Sequence, residues 1–199
     1  GTKINTFLSQ LLTEETIESS YQSSIATIWK DRVAKHQEYT AKIPFSDFKV
    51  FDFICQNVPK NSQLQVSNSS AIRYLQLFDL DKSIQVFCNR GTSGIDGSTS
   101  TAIGAALASD LPTMLITGDI SFLYDSNALW NNYIPKNFKI ILLNNSGGGI
   151  FRILPGHQET ETFNTYFETS HQLNALHLAK MYGFDYYTAT DEDSLKTSY

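Results

Sequence analysis

Short apolar runs alternate with helix-like segments along the chain from Pro44 onwards, and this alternation limits the fold more than any other feature. The runs expected to form strands are residues 63–67, 84–88, 113–117, 138–143 and 184–188. The segments with helical spacing are residues 45–58, 69–78, 99–109, 124–133 and 173–182. This order predicts an α/β fold in which helices cover both faces of a parallel sheet.

The first part of the chain has a different pattern. Residues 9–41 are polar and favour helices, with acidic side chains early and basic side chains late, as the helix macrodipole prefers. We therefore expect residues 1–43 to be a helical connector, the tail of a preceding middle domain, and residues 44–199 to form a second domain. Because the chain begins at Gly1 instead of Met and stops where a helix would start, at 191–199, we expect a piece of a longer protein that is truncated at its C-terminus.

Composition disfavours several classes of function. The net charge is −5 and no dense block of Lys or Arg occurs, which argues against nucleic-acid binding. No apolar stretch approaches the length of about 18–20 residues that a membrane span needs, and no signal peptide is visible, so we expect a cytoplasmic protein. Cys55 and Cys88 lie in apolar surroundings without metal-ligand spacing, which predicts buried free thiols in a reducing compartment.

Polar residues follow two consecutive strand-like runs, at the point where each run ends. Gly118 and Asp119 come after the run 113–117, and Asn144 and Asn145 come after the run 138–143. The intervening chain has room for one crossover helix, so both ends would meet at one edge of a parallel sheet. A carboxylate, an amide and the glycine backbone at 147–149 suit a hard cation and the phosphate that it carries.

Two simpler interpretations apply to these residues. Asp119 could serve only as the cap of the next helix. The glycines at 147–149 could form a flexible loop, although the apolar segment 150–154 that follows needs a cofactor, a substrate or a partner subunit to cover it.

A second polar segment, residues 89–97, follows the strand-like run 84–88. Its glycines are too far apart for the dinucleotide fingerprint. Arg90 could bind a carboxylate or phosphate with two hydrogen bonds, and Ser69 and Arg73 would add a hydroxyl and a second cation at the same edge. A plain surface arginine is the alternative. The histidines show no metal spacing, and the sequence assigns no role to His36, His157, His171 or His177.

These motifs resemble those of a known enzyme family. The chain contains Gly-Asp, a spacer and then Asn-Asn with following glycines. This pattern is similar to the thiamine diphosphate signature of the pyruvate-decarboxylase-like enzymes. The segments NRGTSGIDG, GDISFLYDSNALW and LLNNSGGGIFRILPG resemble more specifically the menaquinone-pathway 2-succinyl-5-enolpyruvyl-6-hydroxy-3-cyclohexene-1-carboxylate synthases, the MenD family. The resemblance is strong over about residues 60–160 and implies the diphosphate-binding (PP-type) domain of the thiamine diphosphate-binding fold.

The resemblance implies a cofactor site. The expected ligands of Mg²⁺, or of Mn²⁺ in its place, are Asp119, Asn145 and the Gly147 carbonyl. The residues expected to contact thiamine diphosphate are Gly118, Ile120, Ser121, Gly148, Gly149, Ile95 and Ile150. Ile95 would lie under the bend between the two cofactor rings. Two positions depart from the general pattern, because Ile120 replaces the last glycine of Gly-Asp-Gly and Ser146 replaces a third Asn.

The resemblance also implies a reaction and its substrates. Ser69, Arg73 and Arg90 would receive the carboxylates of 2-oxoglutarate and isochorismate, and Phe151 and Leu154 would pack on the substrate side. The transferase of this family decarboxylates 2-oxoglutarate and adds the succinyl-semialdehyde carbanion to isochorismate.

In that family the glutamate that activates the cofactor lies in an N-terminal domain of the partner subunit, and this chain offers no candidate for it. We therefore expect the chain alone to be inactive and the full-length protein to be a homodimer or tetramer. Two alternatives stay open. One is another thiamine diphosphate-dependent 2-oxoacid decarboxylase or acetohydroxyacid synthase, against which Ser69, Arg73 and Arg90 argue. The other is a non-catalytic nucleotide-binding module.

Overall fold

The computed structural model describes residues 20–199, and its internal contacts divide the chain between Lys42 and Ile43. Helix α1, Ser20–Lys42, belongs to the first unit. It confirms the helix expected at 9–41 over its described part, while residues 9–19 lie outside the described residues. Exposed apolar side chains on α1 include Ile25 and Ile28.

A four-stranded parallel sheet forms the centre of the second unit. Its strands are β1 (Gln63–Val66), β2 (Gln85–Cys88), β3 (Thr113–Gly118) and β4 (Phe138–Leu143). The spatial order is β2-β1-β3-β4, and every neighbouring pair is parallel. In the register of β3 with β4, Gly118 lies opposite Leu143, so Asp119 and Asn144 both leave the sheet at the same edge. The predicted parallel sheet and the pairing of these two strands are confirmed.

Helices lie on both faces of this sheet, as predicted. The helices of the second unit are α2 (Asp47–Asn57), α3 (Ser70–Leu75), α4 (Ser98–Leu107), α5 (Asp119–Tyr124), a 3-10 helix (Ser126–Trp130), α6 (Ile150–Ile153), a π-helix (Phe163–Glu168), α7 (Leu176–Met181) and α8 (Glu192–Ser198). Side chains alternate along β3 because successive strand residues point to opposite faces. Met114 and Ile116 pack with α2 and α3, whereas Leu115 packs with α4.

Two predicted elements are wrong. The helix expected at 124–133 is replaced by α5 and the separate 3-10 helix. The chain turns at Asp125 because that buried carboxylate accepts hydrogen bonds from the Ser100 main-chain N–H (2.7 Å) and hydroxyl (2.6 Å). The strand expected at 184–188 forms no ladder with the described strands. The Phe184 N–H instead donates to the Ala179 carbonyl at 2.9 Å, which holds the segment against the end of α7.

Both cysteines are free thiols, as predicted, although only Cys55 is fully buried and Cys88 is partly buried. Burial and the nearby Asp52 carboxylate raise the pKa of Cys55 to about 12, which disfavours the reactive thiolate form. Across residues 20–199 we find no helix with the length and apolar character needed for a membrane crossing.

The segment after β4 departs from the regular layers and is held by an arginine. Arg152 on α6 forms ion pairs with Glu168 at the end of the π-helix and with Glu159. The Arg152 guanidinium, with a smaller contribution from the Ser170 hydroxyl, lowers the pKa of the Glu168 carboxyl because both stabilise its charged form. This pairing fixes the π-helix where the Glu168 main-chain oxygen accepts a 2.6 Å hydrogen bond from the Gly148 N–H.

The lowered pKa of Glu168 predicts a pH-dependent contribution to stability. Above the ordinary glutamate pKa of 4.5 the ionised side chain pairs with Arg152, and the contribution is lost as the pH falls through the lower pKa of the folded state. We expect Glu168→Gln to reduce the free energy of unfolding most above pH 4.5, with the difference from the unmutated protein shrinking below it. Denaturant titrations at a series of pH values measure this difference.

Glu161→Gln is the matched control, because this exposed glutamate lies in the same segment. It should leave the free energy of unfolding nearly unchanged at every pH. A Glu168→Gln difference that stays constant through the acidic range would contradict the proposed contribution of the ion pair.

Candidate functional site

A cavity of about 530 Å³ opens at the carboxyl ends of the four strands, where ligands collect in parallel α/β sheets. Every residue to which the resemblance assigned a role lines it. These residues are Ser69, Arg73, Arg90, Ile95, Gly118, Asp119, Ile120, Ser121, Asn145, Gly147, Gly148, Gly149, Ile150, Phe151 and Leu154. The fold therefore brings them to one place, and their individual roles stay predictions.

Asp119 connects the tips of β3 and β4. Its side chain is buried, with 4% of the residue exposed. Oδ1 accepts from the Ile120 N–H at 2.7 Å, and Oδ2 accepts from the Gly147 N–H at 3.0 Å. The simpler interpretation of Asp119 as a helix cap is wrong, because Gly118 is the N-cap of α5 and Asp119 is the first residue of that helix. The contact with Gly147 joins Asp119 to the glycine segment after β4.

Asn145 is positioned by a residue that sequence reasoning missed. Its Nδ2 donates to Asp47 Oδ2 at 2.9 Å, across a separation of 98 residues. This contact uses the amide nitrogen and leaves the amide oxygen, the atom that a metal ion binds, out of the hydrogen bond. Asp47 opens α2 and also lines the cavity. No local pattern in the sequence connects it with Asn145.

Close packing favours glycine at 147 and 148, whereas a Cβ atom on Gly149 would make only ordinary contacts, the nearest at 3.5 Å. Gly147 has a φ of +153°, and a Cβ atom there would lie 2.9 Å from the Glu168 main-chain oxygen. A Cβ atom on Gly148 would lie 3.2 Å from the Phe167 main-chain oxygen. The π-helix therefore approaches this segment more closely than a side chain would permit. The segment is a fixed wall of the cavity.

The donor set fits a magnesium ion that carries a diphosphate. Within residues 20–199 no three His, Cys, Asp or Glu side chains come together as a metal site, so one carboxylate has to combine with neutral oxygens. Asp119, Asn145 and the Gly147 carbonyl supply such oxygens, and Mg²⁺ prefers a few protein oxygens together with phosphate oxygens. No described Lys or Arg forms an ion pair with the buried Asp119 carboxylate, which leaves its charge available to a cation.

The loop 89–97 is held in place by side chains from two other elements. Asn68, after β1, donates from Nδ2 to the Asn89 carbonyl and, at 2.6 Å, to the Gly94 carbonyl. The Ser121 hydroxyl on α5 donates to the Ile95 carbonyl. These bonds hold Ile95 at the cavity wall. Asn68 is a positioning residue that the sequence did not indicate, because its partners lie more than twenty positions away.

Two guanidinium groups face the cavity. Arg73 and Arg90 are exposed, and Arg73 donates to the Ser69 carbonyl at 2.7 Å. In the described part of the chain neither arginine is in an ion pair with a carboxylate. Both charges are therefore available to an anionic ligand.

Three of the five described non-glycine residues with a positive φ line the same cavity. Ser69, Ser93 and Thr169 have φ values of +74°, +60° and +53°, and all three line the cavity. Residues without glycine's freedom keep such conformations only where the surrounding structure imposes them, commonly at ligand sites. This concentration supports the cavity as the functional site.

His171 also reaches the site, although its spacing gave no reason to assign it a role. Its Nε2 lies 3.3 Å from Asp119 Oδ2. The π-helix and the turn that follows bring it there, and no sequence motif indicates that approach.

Comparison with known proteins agrees with this geometry. Residues 68–198 match the family of thiamine pyrophosphate enzymes, C-terminal TPP binding domain. A 2-succinyl-5-enolpyruvyl-6-hydroxy-3-cyclohexene-1-carboxylate synthase from Flavobacterium johnsoniae is 66% identical over 96% of this chain and 35% of its own length. The synthase of the same name from Flavobacterium psychrophilum is 70% identical over 90% of this chain and 32% of its own length. The chain thus spans about a third of the curated relatives that it matches, and the resemblance to their family is confirmed.

Solved structures agree on the fold. The benzoylformate decarboxylase from Polynucleobacter necessarius has a TM-score of 0.60 and 18% identity, and the match covers 79% of this chain and 30% of that one. The thiamine diphosphate-dependent 4-hydroxybenzoylformate decarboxylase from Rhodococcus jostii RHA1 has a TM-score of 0.55 and 24% identity, over 77% of this chain and 29% of that one. At these identities the likeness bears on the fold alone. The family match, the parallel sheet and the cavity at its edge lead to one conclusion: the chain belongs to the thiamine pyrophosphate enzymes and carries their C-terminal TPP-binding domain.

Proposed function

We propose that this chain is the diphosphate- and magnesium-binding part of a synthase that decarboxylates 2-oxoglutarate and adds the resulting four-carbon unit to isochorismate in menaquinone biosynthesis. The observation that carries the proposal is the buried Asp119 carboxylate, bonded to Gly147 at the paired tips of β3 and β4 and facing a cavity that also contains two unpaired arginines. The match to synthases of that name supports the choice of reaction.

In this proposal the tips of the two strands hold the cofactor's diphosphate. Asp119, Asn145 and the Gly147 carbonyl bind Mg²⁺, with Mn²⁺ able to replace it. The groups that line the diphosphate are Gly118, Ile120, Ser121, Gly148 and Gly149, and those that contact the remainder of the cofactor are Ile95 and Ile150. When bound, thiamine diphosphate supplies the electron sink for decarboxylation and carbon–carbon bond formation. The protein supplies position and charge.

The charges in the cavity favour substrates with carboxylate groups. Ser69, Arg73 and Arg90 would bind the carboxylates of 2-oxoglutarate and isochorismate, because a guanidinium can hold a carboxylate with two parallel hydrogen bonds. Phe151 and Leu154 would pack against the carbon skeleton. A pyruvate-specific enzyme has less use for two free cations, which is why we prefer the synthase to the alternative decarboxylases.

The cavity walls support a site completed from outside the chain. The carboxylates that line it are Asp47 and Asp119, and among residues 20–199 no glutamate lines it. We propose that the glutamate that activates the cofactor comes from another domain of a partner subunit, that the full-length protein is a cytoplasmic homodimer or a larger assembly, and that this chain alone is inactive. Residues 1–43 would then be the tail of the preceding domain.

Removal of the Asp119 charge tests the cofactor assignment. In the full-length protein that contains this chain, we expect calorimetry to show thiamine diphosphate binding that depends on Mg²⁺. Asp119→Asn keeps the side-chain shape but removes the anionic metal ligand. The metal-dependent affinity should fall at least about 100-fold. Loss of a residue that only hydrogen-bonds a metal ligand already lowers metal affinity by about 10- to 100-fold.

Asp110→Asn is the matched control, since Asp110 is exposed and does not line the cavity. It should leave the affinity for thiamine diphosphate unchanged. An unaltered Mg²⁺-dependent affinity in Asp119→Asn would overturn the assignment. Tight NAD binding without metal would instead favour the nucleotide-binding alternative.

Replacement of Arg90 tests the proposed substrate. Loss of a hydrogen-bonded charge pair costs about 1.5–3 kcal/mol, so we expect Arg90→Gln to lower kcat/KM for 2-oxoglutarate by roughly 10- to 150-fold. The rate of carbon dioxide release by the full-length enzyme measures this loss. Arg32→Gln, on the exposed side of α1, is the matched control and should keep kcat/KM. Equal rates for Arg90→Gln and the control would contradict a substrate-binding role.

A further inference from the structure

The imidazole ring of His171 lies beside Asp119, a proposed metal ligand. Its side chain is 12% exposed, and its Nε2 lies 3.3 Å from Asp119 Oδ2. Nε2 is buried and has no aligned hydrogen-bond partner among residues 20–199. A buried N–H without a partner is costly, so its approach to a carboxylate that also lacks a cation calls for an explanation.

The hydrogen bonds of the ring determine which nitrogen carries the proton. Nδ1 accepts from the Leu173 main-chain N–H at 3.1 Å. In a neutral ring whose Nδ1 is an acceptor, Nε2 carries the hydrogen. The Nε2–H group therefore lies beside Asp119 Oδ2 at 3.3 Å, without the alignment of a hydrogen bond, and no charge on the ring is needed for this contact.

A main-chain hydrogen bond holds His171, and little open space lies beside its ring. The His171 main-chain N–H donates to the Ser146 carbonyl at 3.1 Å, which ties the residue to the segment between Asn145 and Gly147. The void beside Asp119 and His171 has a volume of about 10 Å³, close to that of a single water molecule. The ring thus has little room to turn away from the carboxylate.

We propose that His171 is a positioning residue that orients the Asp119 carboxylate for the divalent cation. The inference rests on the proposed function. Oδ1 receives the Ile120 N–H, Oδ2 receives the Gly147 N–H, and the His171 N–H approaches Oδ2 from a third direction. Two main-chain hydrogen bonds and the His171 ring beside Oδ2 restrict rotation of the carboxylate. Loss of a residue that orients a metal-binding carboxylate typically lowers the metal affinity by about 10- to 100-fold.

The test compares two side chains of nearly equal length, one with an N–H donor and one without. His171→Gln can place an N–H near the position of Nε2, whereas His171→Met fills similar space with no donor. Binding of Mn²⁺ to the full-length protein with saturating thiamine diphosphate is measured by electron paramagnetic resonance of the free ion. We expect His171→Met to weaken Mn²⁺ binding by roughly 10- to 100-fold and His171→Gln to restore most of the loss. His177→Met, at an exposed position, should have no effect.

Equal weakening by Gln and Met would show that His171 acts through packing alone and would overturn the inference, as would unchanged binding in both. If the unmutated protein itself fails to bind Mn²⁺ with thiamine diphosphate, the proposed function fails and the inference fails with it. Should His171→Met not fold, His171→Asn replaces it, because the shorter Asn cannot place an N–H at the Nε2 position. Equal Mn²⁺ affinities of the His171→Gln and His171→Asn variants would again overturn the inference.

Discussion

The hydrogen bond from the Gly147 N–H to Asp119 Oδ2 joins the ends of two neighbouring strands, and the candidate site depends on it. It forms because the register of β3 with β4 brings Gly118 opposite Leu143. Glycine is required there, since a Cβ atom would lie only 2.9 Å from the Glu168 main-chain oxygen. Arg152 in turn holds Glu168 through its ion pair. One wall of the cavity is thus fixed by the pairing of β3 with β4, by Gly147 and by the ion pair of Arg152 with Glu168.

A buried carboxylate needs compensation for the water that it has lost. Asp119 receives two main-chain N–H groups, and the His171 ring approaches one of its oxygens. In the described part of the chain no lysine or arginine neutralises it. A divalent cation shared with Asn145 and the Gly147 carbonyl would supply the missing charge. That cation would also attract a diphosphate into a cavity that two arginines line. One electrostatic requirement therefore connects the fold to the proposed cofactor.

The predictable part of this structure is the part encoded in local patterns. The strand-like runs predicted β1 to β4, although β1 and β3 are buried, β4 is partly buried and β2 is mostly exposed. The order of the runs placed Asp119 and Asn145 at neighbouring tips. The sequence patterns did not predict contacts between residues that lie far apart along the chain. Asp47 reaches Asn145 across 98 residues, and neither Asn68 nor His171 lies in a motif. The helix expected at 124–133 is wrong for the same reason, because the Asp125 contact with Ser100 breaks it.

The central claim is that Asp119, Asn145 and the Gly147 carbonyl hold one divalent cation together with the cofactor's diphosphate. Anomalous diffraction from crystals of the full-length protein grown with Mn²⁺ and thiamine diphosphate tests it most directly. The account predicts one manganese peak at a metal–ligand distance of about 2 Å from an oxygen of each of the three residues, and in contact with the diphosphate. A manganese peak elsewhere, or a bound diphosphate with no manganese beside Asp119, would contradict it.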